Sequence, residues 1–172
     1  ADGNRQSVGW DRWGNRVQVT GRDGRTTVCR YDARGRLATR QEASGARSDY
    51  EWDGLDRIVR VTVTDTTSSS HGNTGSAGGS GRAVTVYGYT GEGRNPSTVT
   101  DPEGGVSRLV WDRNLLTEVV DPVGVRVRLG YDGHGDLVST TDAAGDTARL
   151  VRDEAGRVVA AVTPLGHRTE YR

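Results

Sequence analysis

The sequence predicts an all-β fold: antiparallel β-hairpins of about 21 residues each, repeated along the chain and laid side by side in one curved sheet. Three observations predict it. An aromatic followed by aspartate recurs as Trp10-Asp11, Tyr31-Asp32, Trp52-Asp53, Trp111-Asp112 and Tyr131-Asp132, with Tyr89-Thr90 and Arg152-Asp153 on the same grid, at spacings of 21, 21, 37, 22, 20 and 21. Seven residues ahead of these markers stands a glycine in most copies: Gly3, Gly24, Gly45, Gly104, Gly124 and Gly145. After each marker turn lies a run, such as Ile58 to Val63 or Val158 to Val162, that is too short and too β-branched for a helix. Such a period is the mark of one supersecondary unit copied in series, so function belongs to the array rather than to one pocket.

Each unit reads as two strands and two tight turns. After the marker comes Asp-x-x-Gly, at Asp11 to Gly14, Asp32 to Gly35, Asp132 to Gly135 and Asp153 to Gly156. Aspartate first and glycine fourth is the signature of a type I turn whose glycine takes φ > 0. An outgoing strand follows, such as Arg36-Leu37-Ala38-Thr39, Ile58 to Val63 or Val158 to Val162. A second turn, Asp121-Pro122-Val123-Gly124, Asp142-Ala143-Ala144-Gly145 or Thr163-Pro164-Leu165-Gly166, sends the chain back to the next marker, with proline presetting φ. On the returning strand the position two before the marker holds Val8, Cys29, Tyr50, Tyr87, Leu109, Leu129, Leu150 and Tyr171. Strand periodicity puts it on the marker's face, so that face is apolar; Asp49, Glu51, Arg30, Arg108, Arg128 and Arg149 fall on the other. An open sheet with two strands per unit exceeds about ten strands here, and such sheets curl.

Departures from the grid are local. Asn114, in a unit one residue short, and Asp56, in a glycine place, are residue types that tolerate φ > 0. The 22-residue unit suggests a bulge near Asn95-Pro96. The 37-residue spacing hides a serine- and glycine-rich insertion, residues 65–81, expected to be a flexible loop. Residues 1–172 are otherwise expected to form one continuous array of about eight units. Gly3 and Tyr171 both sit on the grid and no initiator methionine is present, so an excised fragment is expected.

Composition excludes several classes. Hydrophobic residues make up 33%, there are 25 glycines and the formal net charge is zero, which is little apolar mass for a thick core. The 23 basic residues are all arginine and alternate with acids, giving no phosphate-tracking stripe, and no run is long enough to span a membrane. His71, His134 and His167 fall in turns or in the loop without a second ligand at metal spacing. Cys29 occupies a slot filled elsewhere by Val, Leu and Tyr and reads as a small buried hydrophobe rather than a nucleophile. The turn aspartates lack both calcium-loop spacings, and Asp49 and Glu51 read as surface charges. The sequence therefore offers no catalytic, cofactor or metal site; its candidate residues are structural, the markers Trp10, Tyr31, Trp52, Tyr89, Trp111 and Tyr131 and the first-turn Asp and Gly residues.

The stretches RYDARGRLATRQEASG, GYDGHGDLVSTTDAAG and VRDEAGRVVAAVTPLG resemble the YD repeats of rearrangement-hotspot (Rhs) proteins, whose pattern is approximately Tyr-Asp-x-x-Gly-Arg-Leu with a later Asp-Pro-x-Gly turn. The resemblance covers nearly the whole chain outside the insertion. It implies a hairpin sheet spiralling into a hollow shell, as in bacterial polymorphic toxins, toxin-complex cocoons, wall-associated proteins and teneurins. It further implies a secreted or cell-surface bacterial parent, with neighbouring repeats and a toxin or cargo domain as partners. The self-cleaving core motif of such shells is not recognisable, so the chain is expected to be no enzyme. The expected function is a non-catalytic scaffold. The alternative is an extracellular module binding a glycan or a surface protein, for which Trp13 is the best support. An array cut from its neighbours is also expected to self-associate.

Overall fold

A computed structural model describes residues 5–65 and 81–171. The expected turn at Gly3 and the insertion lie outside the described residues, apart from Asp65 and Gly81 at its rims. The chain divides into two units, Ala1–Val86 and Tyr87–Arg172. The first holds β1 (Ser7–Trp10), β2 (Arg16–Thr20), β3 (Thr26–Tyr31), β4 (Leu37–Gln41), β5 (Arg47–Trp52), β6 (Ile58–Asp65) and most of β7 (Gly81–Gly88). The second holds β8 (Thr98–Thr100), β9 (Val106–Asp112), β10 (Leu115–Val120), β11 (Arg126–Tyr131), β12 (Leu137–Thr141), β13 (Thr147–Arg152), β14 (Val158–Val162) and β15 (Arg168–Glu170). Strand order follows chain order, the recorded pairings are antiparallel, and no helix occurs among the described residues. The all-β hairpin array read from the period is what the chain forms.

The repeat has one register. Across a first turn, β3 and β4 pair as Val28↔Gln41, Cys29↔Arg40 and Arg30↔Thr39, then slip so that Tyr31 meets Leu37. The same slip comes at Gly9/Trp10, Glu51/Trp52, Gly130/Tyr131 and Val151/Arg152. One extra residue on the outgoing strand makes a bulge beside a left-handed turn residue. Across the second turn the ladder is shorter: β2 and β3 pair as Gln18↔Val28, Val19↔Thr27 and Thr20↔Thr26. Both kinds of turn are built alike. The Asp32 N–H donates to the Arg36 carbonyl at 2.9 Å and the Gly35 N–H to the Asp32 carbonyl at 3.0 Å; Asp121 and Gly124 do the same at 2.9 and 3.0 Å.

The irregular units differ for local reasons. Asp56 fills a glycine place at φ 59°, and its N–H reaches the Asp53 carbonyl only at 3.4 Å. Asn114 takes φ 66°, and Arg113 joins it at φ 47°, so Asp112 pairs with Leu115 across a two-residue loop of the primed type. The bulge expected at Asn95-Pro96 is not a ladder bulge. Residues 89–97 form a wide loop in which the Ser97 N–H donates to Gly88 at 2.8 Å, and β8 starts only at Thr98. Pro96 has no N–H to give a ladder, so the extra residue is taken up outside it.

Within each unit, strand alternation sorts side chains by face. In β9, Ser107, Leu109 and Trp111 are half-buried while Val106, Arg108, Val110 and Asp112 are exposed. Yet almost nothing is fully enclosed. Among the described residues Ala160 is the one buried hydrophobic side chain, and Thr39 and Thr62 are the buried polar ones. Within each unit, the described residues put no second layer over the apolar face.

Gly35→Val and Gly156→Val should each destabilise the fold by about 1–3 kcal/mol, because both sites lie at φ near 78°. An added Cβ at Gly35 meets nothing within 4 Å, so the loss is backbone strain rather than a clash. Gly54→Ala, where φ is not positive and space is open, should be neutral or slightly stabilising. Thermal unfolding followed by circular dichroism checks the contrast; equal losses at all three sites would refute it.

Candidate functional site

The feature that recurs in every regular copy is the joint where a marker side chain meets the preceding strand. The Tyr31 hydroxyl donates to the Arg16 carbonyl at 3.0 Å, Trp52 Nε1 to Leu37 at 2.8 Å, Trp111 Nε1 to Pro96 at 2.8 Å and the Tyr131 hydroxyl to Leu116 at 2.8 Å. Arg152 does the same with its guanidinium, giving Leu137 two bonds at 3.3 and 3.1 Å. In each case the acceptor lies 15 residues back. It is also two residues outside the short second-turn ladder, as Leu37 is outside Thr39↔Asp49 and Leu116 outside Glu118↔Arg128. A carbonyl just beyond a ladder needs a partner, and the marker supplies it. The donor, shared by tyrosine, tryptophan and arginine, explains why Arg152 can stand on an aromatic grid.

The turn aspartate holds the other half of the joint. Asp32 Oδ1 accepts the N–H groups of Arg34 and Arg36, both at 2.9 Å, while Oδ2 takes Arg36 Nε at 2.8 Å. Asp53 with Arg57 and Asp153 with Arg157 repeat the arrangement, and Asn15 replaces the arginine at Asp11. Arg36 reaches further, to the Asp53 carbonyl at 2.9 Å and Asp56 Oδ1 at 2.7 Å, with its guanidinium 5.6 Å from the Trp52 ring centre. These bonds hold the carboxyls below the usual range. The backbone N–H of Arg36 leads at Asp32, that of Arg57 at Asp53 and that of Asp136 at Asp132; at Asp153 the Arg157 side chain leads.

Between consecutive first turns the joints leave open grooves. One, of about 860 Å³, is lined by Trp13, Asn15, Cys29, Tyr31 and Arg34 among others. A second of about 450 Å³ lies at Leu109, Trp111 and Asn114, and a third of about 670 Å³ at His134, Leu150 and Arg152. Cys29 is half-buried on a groove wall rather than fully enclosed. Trp13 is 71% exposed, with the Arg12 guanidinium 4.1 Å from its ring centre. His134 and His167 are exposed turn residues, and His71 lies outside the described residues. On the polar face Asp49 is held by Arg47, which pulls its carboxyl down, and by Thr39, while Glu51 lies 3.5 Å from Arg60. Among the markers, Trp10 is 62% exposed and Tyr89 half-buried beyond the end of β7.

Residues 10–47, 31–68 and 110–147 each match the RHS repeat family. The chain belongs to that family. Over 174 aligned residues this Rhs chain is 32% identical to the double-stranded DNA deaminase toxin A of Burkholderia cenocepacia (strain H111), covering 98% of the chain and 11% of that protein. It is 43% identical over 67 residues to the probable deoxyribonuclease RhsB of Dickeya dadantii (strain 3937), covering 38% of the chain and 5% of the relative. The chain thus spans 11% or less of the length of these curated relatives. The crystal structure of TcdB2-TccC3-TEV has the same fold, with a TM-score of 0.56 at 16% identity, over 96% of this chain and 9% of that one.

The sequence reading took the Rhs markers for apolar ribs and missed their donors. The signal was present: phenylalanine is absent from the chain, and the one non-aromatic marker ahead of an aspartate is arginine. Tyr131→Phe should lose about 0.5–1.5 kcal/mol, the worth of one such bond. Arg152→Met should lose at least as much, and Arg152→Tyr should recover it. Urea unfolding measures all three, and an unchanged midpoint in Tyr131→Phe and Arg152→Met would rule the clamp out.

The depressed turn carboxyls set a pH dependence. The folded Rhs sheet binds fewer protons than the unfolded chain, so their stabilisation is complete above the ordinary aspartate value of about 3.9. It is lost as pH falls through the lowered folded-state values. The thermal midpoint should therefore drop steeply below about pH 4. In Arg36→Gln with Arg157→Gln, which removes side-chain partners of Asp32 and Asp153, the drop should be shallower. A midpoint flat from pH 7 to pH 3 would contradict this.

Proposed function

We propose that this chain is a non-catalytic segment of the β-sheet shell of a larger secreted or cell-surface bacterial protein, where it encloses or presents a toxin or other partner domain. One observation carries the reading: among the described residues of each unit nothing forms a second layer over the apolar face, and Ala160 is the one fully buried hydrophobic residue among those described. A sheet of this kind is a wall, with its faces for neighbours to use. The names of the relatives, a deaminase toxin and a probable deoxyribonuclease, support a toxic partner domain elsewhere in the parent. The scaffold reading is further supported by the use made of the polar side chains. Turn carboxylates and marker donors are engaged in holding hairpins rather than gathered around a reacting centre.

Limited proteolysis of the full-length polypeptide tests it. A non-repeat domain should survive protease while the repeat sheet is intact, and should become sensitive when Gly35→Val and Tyr131→Phe are combined. Digestion of that domain at the rate of its isolated form would refute enclosure. A glycan- or protein-binding role is favoured by one observation, the exposed Trp13 on the groove of about 860 Å³. Glycan-array binding lost in Trp13→Ala would establish that second role; no binding would remove it.

A further inference from the structure

Within the unit 87–172 strand alternation brings together arginines that the sequence interleaves with acids. Arg108, Arg126, Arg128, Arg149 and Arg168 share the face opposite the markers, on β9, β11, β13 and β15, and all five are exposed. The strands between them put uncharged residues in line. Val120 pairs with both Arg108 and Arg126, Thr141 with Arg128, and Val162 with both Arg149 and Arg168. Two acids stand on the same face: Glu118 is shared by Arg126 and Arg128, and Glu170 lies 3.2 Å from Arg168. The other described acids of the unit, Glu103 and Asp112 included, lie in turns, beside them or in the loop 89–97. Among the described residues Arg108 and Arg149 have no ion-pair or side-chain hydrogen-bond partner. Four returning strands, each two strands from the next, thus carry a cationic stripe about 29 Å long. Five arginines against two glutamates leave three positive charges uncompensated on it.

We infer that this stripe docks a segment of the same polypeptide, outside the repeats, that carries carboxylates and aliphatic side chains. The inference rests on the proposed shell reading and names the chemistry that the partner domain turns to the wall. Charge complementarity asks for an anionic partner, and Glu118, one carboxylate between two guanidiniums, shows the contact the stripe makes. The valines choose among anions. Val106 and Val110 on this face are 42% and 48% exposed, and a phosphate or sugar polymer has no hydrocarbon chains to cover them. Bases and sugar rings would instead use aromatic platforms, yet the aromatics of these strands, Trp111 and Tyr131, lie on the other face. Size selects the source. A stripe about 10 Å broad offers roughly 300 Å², well short of the roughly 800 Å² per partner of a free complex. A segment tethered by the chain meets it at high effective concentration and needs less area. The chain corresponds to 11% of the length of the Burkholderia relative, so a parent of that size has room for such a segment.

A photo-crosslinking residue at Val110 in the full-length polypeptide should give products within one chain, on peptides outside the repeats that are rich in aspartate or glutamate. Raising the salt from about 0.1 to about 1 M shortens the screening length from about 10 to about 3 Å and should cut the yield several-fold. Arg108→Gln with Arg149→Gln, which removes no bond of the sheet, should cut it similarly, and Arg108→Lys with Arg149→Lys should restore it. Glu118→Gln takes away the competing carboxylate and should raise it. Crosslinks to other repeats, to a second molecule, to a segment without excess acid, to nucleic acid or glycan, or to nothing would overturn the inference. So would a yield indifferent to salt in the unaltered protein. Protease protection of the non-repeat domain is read separately. Protection without these crosslinks refutes the docking stripe alone, whereas crosslinks without protection refute enclosure and leave the stripe standing.

Discussion

Everything in this sheet depends on how an unfinished ladder is closed. At five second-turn ladders a carbonyl two residues outside the last pair is bonded by the marker of the returning strand, which reaches back 15 residues to it. That bond sets which residue can be a marker: it must be large enough to lie across the apolar face and must end in a donor. It also ties the start of one hairpin to the end of the next. Five such joints hold the described residues together, and at about 1 kcal/mol each they are comparable to the lower end of the net stability of about 5–15 kcal/mol of an ordinary domain. A sheet with little enclosed hydrocarbon needs such a source, because area burial supplies less here than in a two-layer fold.

The turn carboxylate complements the clamp. An aspartate that accepts two backbone N–H groups through one oxygen and an arginine through the other fixes the loop without help from a core. The strand that leaves the loop is therefore aimed before it meets any neighbour. At Asp56 and at Arg113-Asn114, where glycine is missing, residues other than glycine are held at positive φ, and the hairpins still close. Local closure of this kind suits an array, in which a unit can rely only on the units beside it.

The fold was legible because period, turn and alternation agree: the Asp-x-x-Gly turns, the aliphatic slot two before each marker and the polar positions opposite all specify antiparallel hairpins. The joint was less legible. A spacing of 21 residues tells where Tyr31 and Trp52 stand, but not that their polar atoms meet backbone 15 residues earlier, since that depends on a bulge and a short ladder together. Pro96 misled for a similar reason. The rule that proline marks a bulge assumes a ladder is present, and the chain at 89–97 abandons the ladder instead, leaving the Pro96 carbonyl as the acceptor for Trp111. The shared design of first and second turns was hidden by the proline that distinguishes some of the second.

The same arrangement leaves the construction of the sheet independent of the side chains on its open surfaces. Clamps and turns use the backbone, the marker tips and the turn carboxylates. The outward surface of the apolar slot, the polar face and the central turn residues stay open to variation. The polar face of the second unit shows this freedom: Glu118 is shared by Arg126 at 3.4 Å and Arg128 at 3.2 Å, while the first unit meets the same need with Arg47 and Asp49. Exposed ion pairs of this kind contribute little to stability and can drift in sequence. Side chains that fix the repeat are thus separate from those that can address a partner. That separation lets one 21-residue plan recur while Trp13 appears at one turn tip and Leu165 at another.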